Sequence, residues 1–250
     1  MKLLLMSNGK VGKEIAMWVM AKYPEDIGTI VTVVDNESNQ CARDKCIPNL
    51  VFQSENQVLD DLSEFGKFDL GILAWWPNII SPRIMALTAN GFINTHPSFL
   101  PYNRGKHYNF WALIEQVPFG VSLHFITSGI DDGDIVVQQR IAYDWEDTGE
   151  SLYNKASSSI VELFESTYPN IRNGNIQRIK QDLSKGSFHH SKEINNASNI
   201  LLDNSYTARE LLNLLRARTF TGHPACSFED AGEVYEVHIK IRRKNTDGSL

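Results

Sequence analysis

Short apolar runs alternate with stretches of helical spacing along the first two thirds of the chain. Residues 2–6 are an apolar run that leads into Ser7-Asn8-Gly9. Residues 11–23 carry Val11, Ile15, Trp18 and Val19 at helical spacing, and residues 30–34 are β-branched up to Asp35-Asn36. Strand, helix, strand in that order opens a doubly wound sheet. The pattern continues with a short strand at 51–52, a helix at 57–65, a buried strand at 70–74, a helix at 82–88 with proline in its first turn, and a strand at 91–95. A helix at 109–116 follows, then strands at 120–126 and 135–141. A long helix at 151–168 comes next, with Asp147-Thr148 as cap candidates.

Beyond Gly174 the character changes. Residues 177–198 are polar and include the pair His189-His190. Residues 207–218 form an amphipathic helix with Leu211, Leu212, Leu214 and Leu215 on its apolar face, and Thr207 followed by Glu210 resembles a capping box. Residues 225–228 and 234–241 flank an Asp-Ala-Gly turn. The strict alternation of the second run predicts one buried face. A lone hairpin is marginal in water, so it must pack on something, a partner subunit being one candidate. The expectation is an α/β chain: a Rossmann-like, doubly wound, mostly parallel sheet with a small C-terminal helix plus β-hairpin appendage. The soft boundary near 175–200 sets a main domain at 1–180 and the appendage at 181–250.

Composition narrows the class. At 250 residues and 42% hydrophobic, the chain can fill a full core. A net charge of −6 without a lysine-arginine tract argues against nucleic-acid binding, although a local pocket can still be basic. Cys41 and Cys46 have no second pair and Cys226 stands apart, so they read as ordinary thiols of a reducing compartment and not as a zinc site. The first residues lack a signal-peptide pattern, and no run approaches the roughly 18 apolar residues of a membrane span. A cytoplasmic protein with no membrane contact is expected.

Candidate chemistry gathers in two stretches. Residues 91–105 read GFINTHPSFLPYNRG, in which a buried strand ends at Asn94-Thr95-His96. In an open α/β sheet, ligands sit at the carboxyl ends of strands, and residues two apart on a strand share a side. An amide donor and an imidazole therefore face one small volume. Residues 128–133 read SGIDDG, an acidic turn that could bring Asp131 or Asp132 to the same place. Such a set suits acyl transfer to an amine: an amide N–H for a developing oxyanion, a histidine to take the proton, a carboxylate to orient it. Asn-x-His at a strand end can equally be a hydrogen-bonded loop anchor. His124 alternates within a strand and reads as structural, His238 lies in the hairpin, and metal binding at His189-His190 would lack a third ligand.

The stretch FINTHPSFLPYNRG followed by GVSLHFITSGIDDGDIVVQ resembles the signature of the folate-dependent formyltransferases over residues 1–175. The resemblance implies a formyltransferase catalytic domain, 10-formyltetrahydrofolate as donor and no metal. It puts the triad on Asn94, His96 and Asp131, because the acid of its Asp-x-Gly pattern stands two before Gly133; Asp132 is then a solvated turn residue. The segment AWWPNII aligns with the loop whose backbone groups bind the pterin, which implies Trp76, Asn78 and Ile80 there and Ile130 from the opposite loop. One of Trp75 and Trp76 is expected to be core packing.

Trp-Trp-Pro and the run Arg104 to Trp111 look most like the sugar-nucleotide N-formyltransferases, although members often carry proline where Tyr108 stands. The substrate so implied is a nucleotide-linked amino-deoxy sugar, dTDP-4-amino-4,6-dideoxyglucose or its 3-amino isomer, for surface polysaccharide (O-antigen) synthesis. The appendage is then a homodimer contact. For a diphosphate sugar, Asn8, Gly9 and Lys10 before the first helix are candidates, with Arg104, Lys106, His107 and Phe220; Arg216 and Arg218 can also serve as ordinary cations at a helix C-terminus. Alternatives are a formyltransferase for another small amine such as glycinamide ribonucleotide, and a non-catalytic Rossmann-type nucleotide-binding protein.

Overall fold

The computed structural model describes residues 1–244; the last six residues of the 181–250 appendage lie outside the described residues. In chain order the elements are β1 (Leu3–Ser7), α1 (Gly9–Lys22), β2 (Ile27–Thr32), α2 (Glu37–Asp44), β3 (Asn49–Val51), α3 (Glu55–Ser63), β4 (Leu70–Ala74), α4 (Pro82–Met85) and β5 (Phe92–His96). There follow β6 (Arg104–Gly105), α5 (Tyr108–Glu115), β7 (Phe119–Phe125), β8 (Ile135–Ile141), α6 (Gly149–Arg172), β9 (Phe188–His189), α7 (Glu193–Ala197), α8 (Ala208–Ala217), β10 (Cys226–Asp230) and β11 (Glu233–Val237).

Seven strands form one sheet in the order β3-β2-β1-β4-β5-β7-β8. β1 pairs in parallel with β2 and β4, and β4 with β5, whereas β5 and β7 are antiparallel. This is the expected doubly wound, mostly parallel sheet. β1 and β4 are buried along their whole length, as unbroken apolar runs in a sheet covered on both faces require.

Residue contacts divide the chain into two compact units that interleave along the sequence. The first holds residues 1–96, 121–139 and 157–181; the second holds 97–120, 140–156 and the described residues from 182 onward. Within the first, Leu4, Met6, Val31, Val58, Leu62, Leu73, Ile84 and Phe92 make one continuous apolar cluster. Each such side chain contributes about 1.5–3 kcal/mol by leaving water. Gly71 belongs to this packing, because a Cβ there would run into the Phe92 ring. Trp18, Tyr23, Phe164 and Tyr168 build an aromatic cluster with centroid separations of 5.0–6.3 Å. Asp26, 1% exposed, is satisfied beside it by the Tyr168 hydroxyl at 2.9 Å and Arg172 Nε at 2.7 Å.

In the second unit α5 packs on α8, and Thr207 with Glu210 forms the capping box at the start of α8. Arg216 on that helix is buried, with Nε donating to Asn213 Oδ1 at 2.9 Å and Nη1 to the Asp144 carbonyl. Glu115 gathers Asn103 Nδ2 (2.8 Å), Ser187 Oγ (2.7 Å) and His189 Nε2 (2.7 Å), while His189 stacks on Trp111 at 3.8 Å.

Several features differ from the sequence expectation. The pattern gave no α2 or α7 and no pairing of β6 with β9. The hairpin departs further: β11 stops at Val237, Val234 and Tyr235 are 68% and 49% exposed, and Val237, Ile239 and Ile241 on the alternating run are only half-buried. The three cysteines are free thiols, and burial pushes Cys226 up to about 12. Among the described residues, no helix is long and apolar enough to cross a membrane.

Candidate functional site

The carboxyl end of β5 sets the site. Thr95 faces one side of the sheet, where its Oγ1 donates to the Leu73 carbonyl at 3.1 Å and accepts from the Trp75 N–H at 2.9 Å. That side chain ties the loop after β4 to β5. Asn94 and His96 face the other side, as residues flanking Thr95 must. The antiparallel register brings a third residue to them: Asn94 lies directly across from His124 on β7, and His96 across from Ser122. Directly opposed side chains on one face stand close enough to touch, and Asn94 Nδ2 is 3.3 Å from His124 Nε2.

The fourth member arrives on the turn between β7 and β8. Asp131 adopts a left-handed conformation, φ +51°, which is costly for a side chain with a Cβ and is sustained only where surroundings enforce it. Three features enforce it. Gly133 passes so close to the Phe125 carbonyl that any Cβ would collide with it. The Phe125 N–H donates to the Asp134 carbonyl at 2.8 Å. Gln181 Nε2 donates to the Asp131 and Gly133 carbonyls at 3.0 and 2.7 Å. The Asp131 carboxylate then lies 3.4 Å from His96 Nδ1 and 3.5 Å from His124 Nε2. Asp132 accepts instead from Thr127 Oγ1 inside its own turn.

His96 and His124 are 5% and 0% exposed, and their rings stand edge to face at 5.8 Å. With Nδ1 of His96 turned to Asp131, Nε2 points away from the carboxylate on the far side of the ring. The separation of 3.4 Å is an ion-pair distance longer than a tight hydrogen bond, as is common before a substrate draws such groups together. Donor atoms of His96, His124 and Asp131 all lie within 4.8 Å of one another, a spacing that would also suit a divalent cation. Alternation along residues 120–126 marks His124 only as a structural strand residue; the strand register reveals that it belongs to this group.

The loop after β4 supplies the neighbouring surface. Trp75 has φ +57°, unusual for a bulky residue. Trp76 packs edge-on against Phe52 at 5.4 Å and joins the apolar cluster, so it is the packed tryptophan of the pair. Asn78 and Ile79 are exposed, Ile79 by 85%, whereas the Ile80 side chain is buried in the core and can offer a ligand only its backbone. Ile130, on the Asp131 turn, is 42% exposed. Asn8 caps the start of α1 in extended conformation, its N–H on the Ala74 carbonyl at 3.1 Å; Gly9 has φ +61°; Lys10 is exposed and 3.9 Å from Glu14.

The remaining candidates lie in the second unit. Arg104 lies on β6 with its guanidinium over Phe188 at 5.9 Å. Lys106 donates its N–H to the His189 carbonyl at 3.0 Å. His107 Nε2 donates to the Ser191 carbonyl at 3.1 Å. Burial lowers the His107 pKa; the Ser191 carbonyl opposes this, and the positive charges of Arg218, Lys106 and His223 reinforce it. Phe220 packs between Tyr153 at 5.4 Å and His223 at 4.6 Å.

Residues 24–166 match the family model described as "Formyl transferase", and residues 193–243 match "N-formyltransferase dimerization C-terminal domain". Among solved structures, a candidate sugar N-formyltransferase from Mycobacterium tuberculosis is similar at 20% identity and TM-score 0.81, over 98% of this chain and 99% of that one. A 4-N formyltransferase from Francisella tularensis is similar at 23% identity and TM-score 0.77, over 97% and 98%. An N-formyltransferase from Helicobacter canadensis, solved with folinic acid and dTDP-3-aminofucose, is similar at 20% identity and TM-score 0.74, over 93% and 85%.

Proposed function

The chain belongs to the formyl transferase family, and from that premise we propose that it moves a formyl group from 10-formyltetrahydrofolate to the amine of a nucleotide-linked amino-deoxy sugar. The observation that carries the reading is the meeting of Asn94, His96 and Asp131 in one small, largely buried volume at the end of β5. The acceptor follows the dTDP-3-aminofucose of the Helicobacter canadensis protein and the appendage at residues 193–243. The preferred sugars are dTDP-4-amino-4,6-dideoxyglucose and its 3-amino isomer, and the context is surface polysaccharide synthesis in the cytoplasm.

A reduced folate fits the loop after β4. Among the described residues, the backbone groups of 78–80 make no hydrogen bond to other backbone, which leaves them for the edge of a pterin, with Ile130 as an apolar contact. When bound, the folate supplies the activated formyl carbon. Asn94 aims an amide N–H at the oxygen on which charge develops during acyl transfer. His96 accepts the amine proton at Nε2, and Asp131 holds the ring and stabilises the imidazolium that forms. No serine or cysteine nucleophile is needed, because the substrate amine attacks directly. Asn8, Gly9, Lys10, Arg104, Lys106, His107 and Phe220 are assigned to the nucleotide and sugar. Residues 1–180 serve as the catalytic domain and 181–250 as a homodimer contact.

Incubating the protein with 10-formyltetrahydrofolate and each dTDP-amino sugar, and reading product by mass spectrometry, tests the proposal. Formylated sugar is expected, with His96→Ala and Asn94→Ala each lowering kcat by roughly 100-fold or more. Turnover unchanged in either variant sinks the site. Formylation of glycinamide ribonucleotide but of no amino sugar sinks the acceptor alone.

A further inference from the structure

We propose that His124 is a positioning residue for formyl transfer: its Nδ1–H tautomer holds the Asn94 amide in the one orientation that presents an N–H to the reacting oxygen. The proposal rests on the assignment of Asn94 as oxyanion donor and extends it to a residue outside the triad.

The argument begins at the buried end of the imidazole. His124 Nδ1 lies 2.9 Å from the Phe125 carbonyl oxygen. A carbonyl only accepts, so the proton must be on Nδ1. In the neutral ring Nε2 then carries a lone pair and no hydrogen. That lone pair meets Asn94 Nδ2 at 3.3 Å. An Asn side chain has two faces to offer: turned over, it would set its own oxygen lone pairs against the Nε2 lone pair inside a site from which water is excluded. Two buried acceptors facing each other repel, and neither regains the hydrogen bond it would make to water. The neutral, Nδ1-protonated ring therefore selects N–H toward itself, and the second hydrogen of the same NH2 group is left to point into the transfer site.

The backbone makes this contact a fixed property of the fold. Asn94 and His124 are register partners on antiparallel strands, and His124 is fully buried. The β5–β7 pairing thus holds ring and amide opposite each other. Two titratable groups face the ring: Asp131, with Oδ1 at 3.5 Å from Nε2, and His96, edge-on at 5.8 Å. Asp131 also serves His96 Nδ1 at 3.4 Å. A second proton on His124, at Nε2, would turn its N–H to Asp131. It would then remove the acceptor from Asn94 and compete with His96 for the same carboxylate oxygen. Asp131 Oδ1 and Asn94 Nδ2 thus make opposite demands on the same nitrogen, and the Nδ1–H tautomer requires that the Asn94 contact, at 3.3 Å against 3.5 Å, be the one satisfied.

The test pairs kinetics with a direct view of the ring. In the wild-type protein, ¹⁵N NMR of the His124 imidazole is expected to report a protonated Nδ1 and an unprotonated Nε2; an Nε2–H tautomer overturns the proposal whatever the kinetics show. His124→Gln, whose side-chain oxygen can replace the Nε2 acceptor, is expected to retain kcat within about tenfold. His124→Leu is expected to lose about 100-fold in kcat, the size of an oxyanion donor, with KM for both substrates changed less than threefold. In an Asn94→Ala background, His124→Leu should cost almost nothing further, because the two residues act as one unit. An equal, additive loss in that background refutes the positioning role. If Asn94→Ala alone leaves kcat intact, the oxyanion assignment fails and not the tautomer. Should His124→Leu fail to fold by circular dichroism, the Gln variant and the NMR measurement still decide.

Discussion

Gly12→Ala should destabilise the protein, although helix propensity alone says the opposite. Gly12 lies in the first turns of α1, where alanine is favoured over glycine by about 1 kcal/mol. The residue also lies where α1 crosses the sheet: an added Cβ would stand 2.5 Å from the Ala74 carbonyl oxygen and 3.2 Å from the Ser7 carbonyl carbon, both of them backbone. Backbone in adjacent parallel strands cannot swing aside as a flexible side chain does, so overpacking of about 1–3 kcal/mol is the appropriate scale. The same Ala74 oxygen accepts the Asn8 N–H at 3.1 Å, and moving it forfeits about 1 kcal/mol more. The net is a loss of about 1–3 kcal/mol, or roughly 3–9 °C in Tm for a chain of this size. Differential scanning calorimetry on the purified variant measures it. Ala74 leads directly into Trp75, so the KM for the folate should rise in the same variant. A Tm equal to or above the wild type would refute the close-approach argument and leave propensity in charge.

Asp147 provides a pH test within the second unit. Burial works to raise its pKa, but Lys155, the Ser151 hydroxyl and the Asp144 N–H outweigh burial and hold it below the usual carboxylate range. A depressed folded-state pKa adds stability above the unfolded value and loses it as pH falls through the folded one. Asp147→Asn should therefore lower Tm at neutral pH, and the gap to wild type should close below about pH 4; a gap independent of pH across a thermal-shift series would contradict this. The exposed face of β11 is the second case. Tyr235→Glu should convert the proposed homodimer to monomer in analytical ultracentrifugation, since Val234 and Tyr235 are 68% and 49% exposed and a charge there cannot be buried against a partner. An unshifted dimer mass would place the contact elsewhere.

What the sequence makes legible follows from the length over which a pattern can repeat. β1 and β4 are nearly unbroken apolar runs, β5 and β8 open on apolar residues, β7 places apolar residues at every second position, and α1, α6 and α8 run long enough for a helical face to recur, so the doubly wound order emerges from short-range pattern alone. β6 and β9 hold two residues each and α7 five. No period can appear in so few positions. Their pairing depends on Gly105, where a Cβ would strike the His189 carbonyl, and on Glu115 drawing Ser187 and His189 toward Asn103. Those are tertiary facts with no local trace.

The site divides along the same line. Asn94 and His96 are readable because both lie on one strand, and a spacing of two fixes their common side. His124 is not, because its place depends on which residue of β5 stands opposite it. Shifting the β5–β7 register by one residue would turn His124 to the other face, and the chain's own alternation is silent on register. The direction of β7 matters as much. A parallel strand in that position would carry its carboxyl end, and the turn that follows, to the same edge as β5 only after a crossover. The antiparallel strand runs back from that edge, with His124 entering beside Asn94. The turn to β8 then returns Asp131 to both imidazoles, held in its left-handed conformation by Gln181 from a segment fifty residues further along. The reacting group is thus a product of one reversal of strand direction in an otherwise parallel sheet, and any substitution that alters that register should abolish transfer before it unfolds the protein.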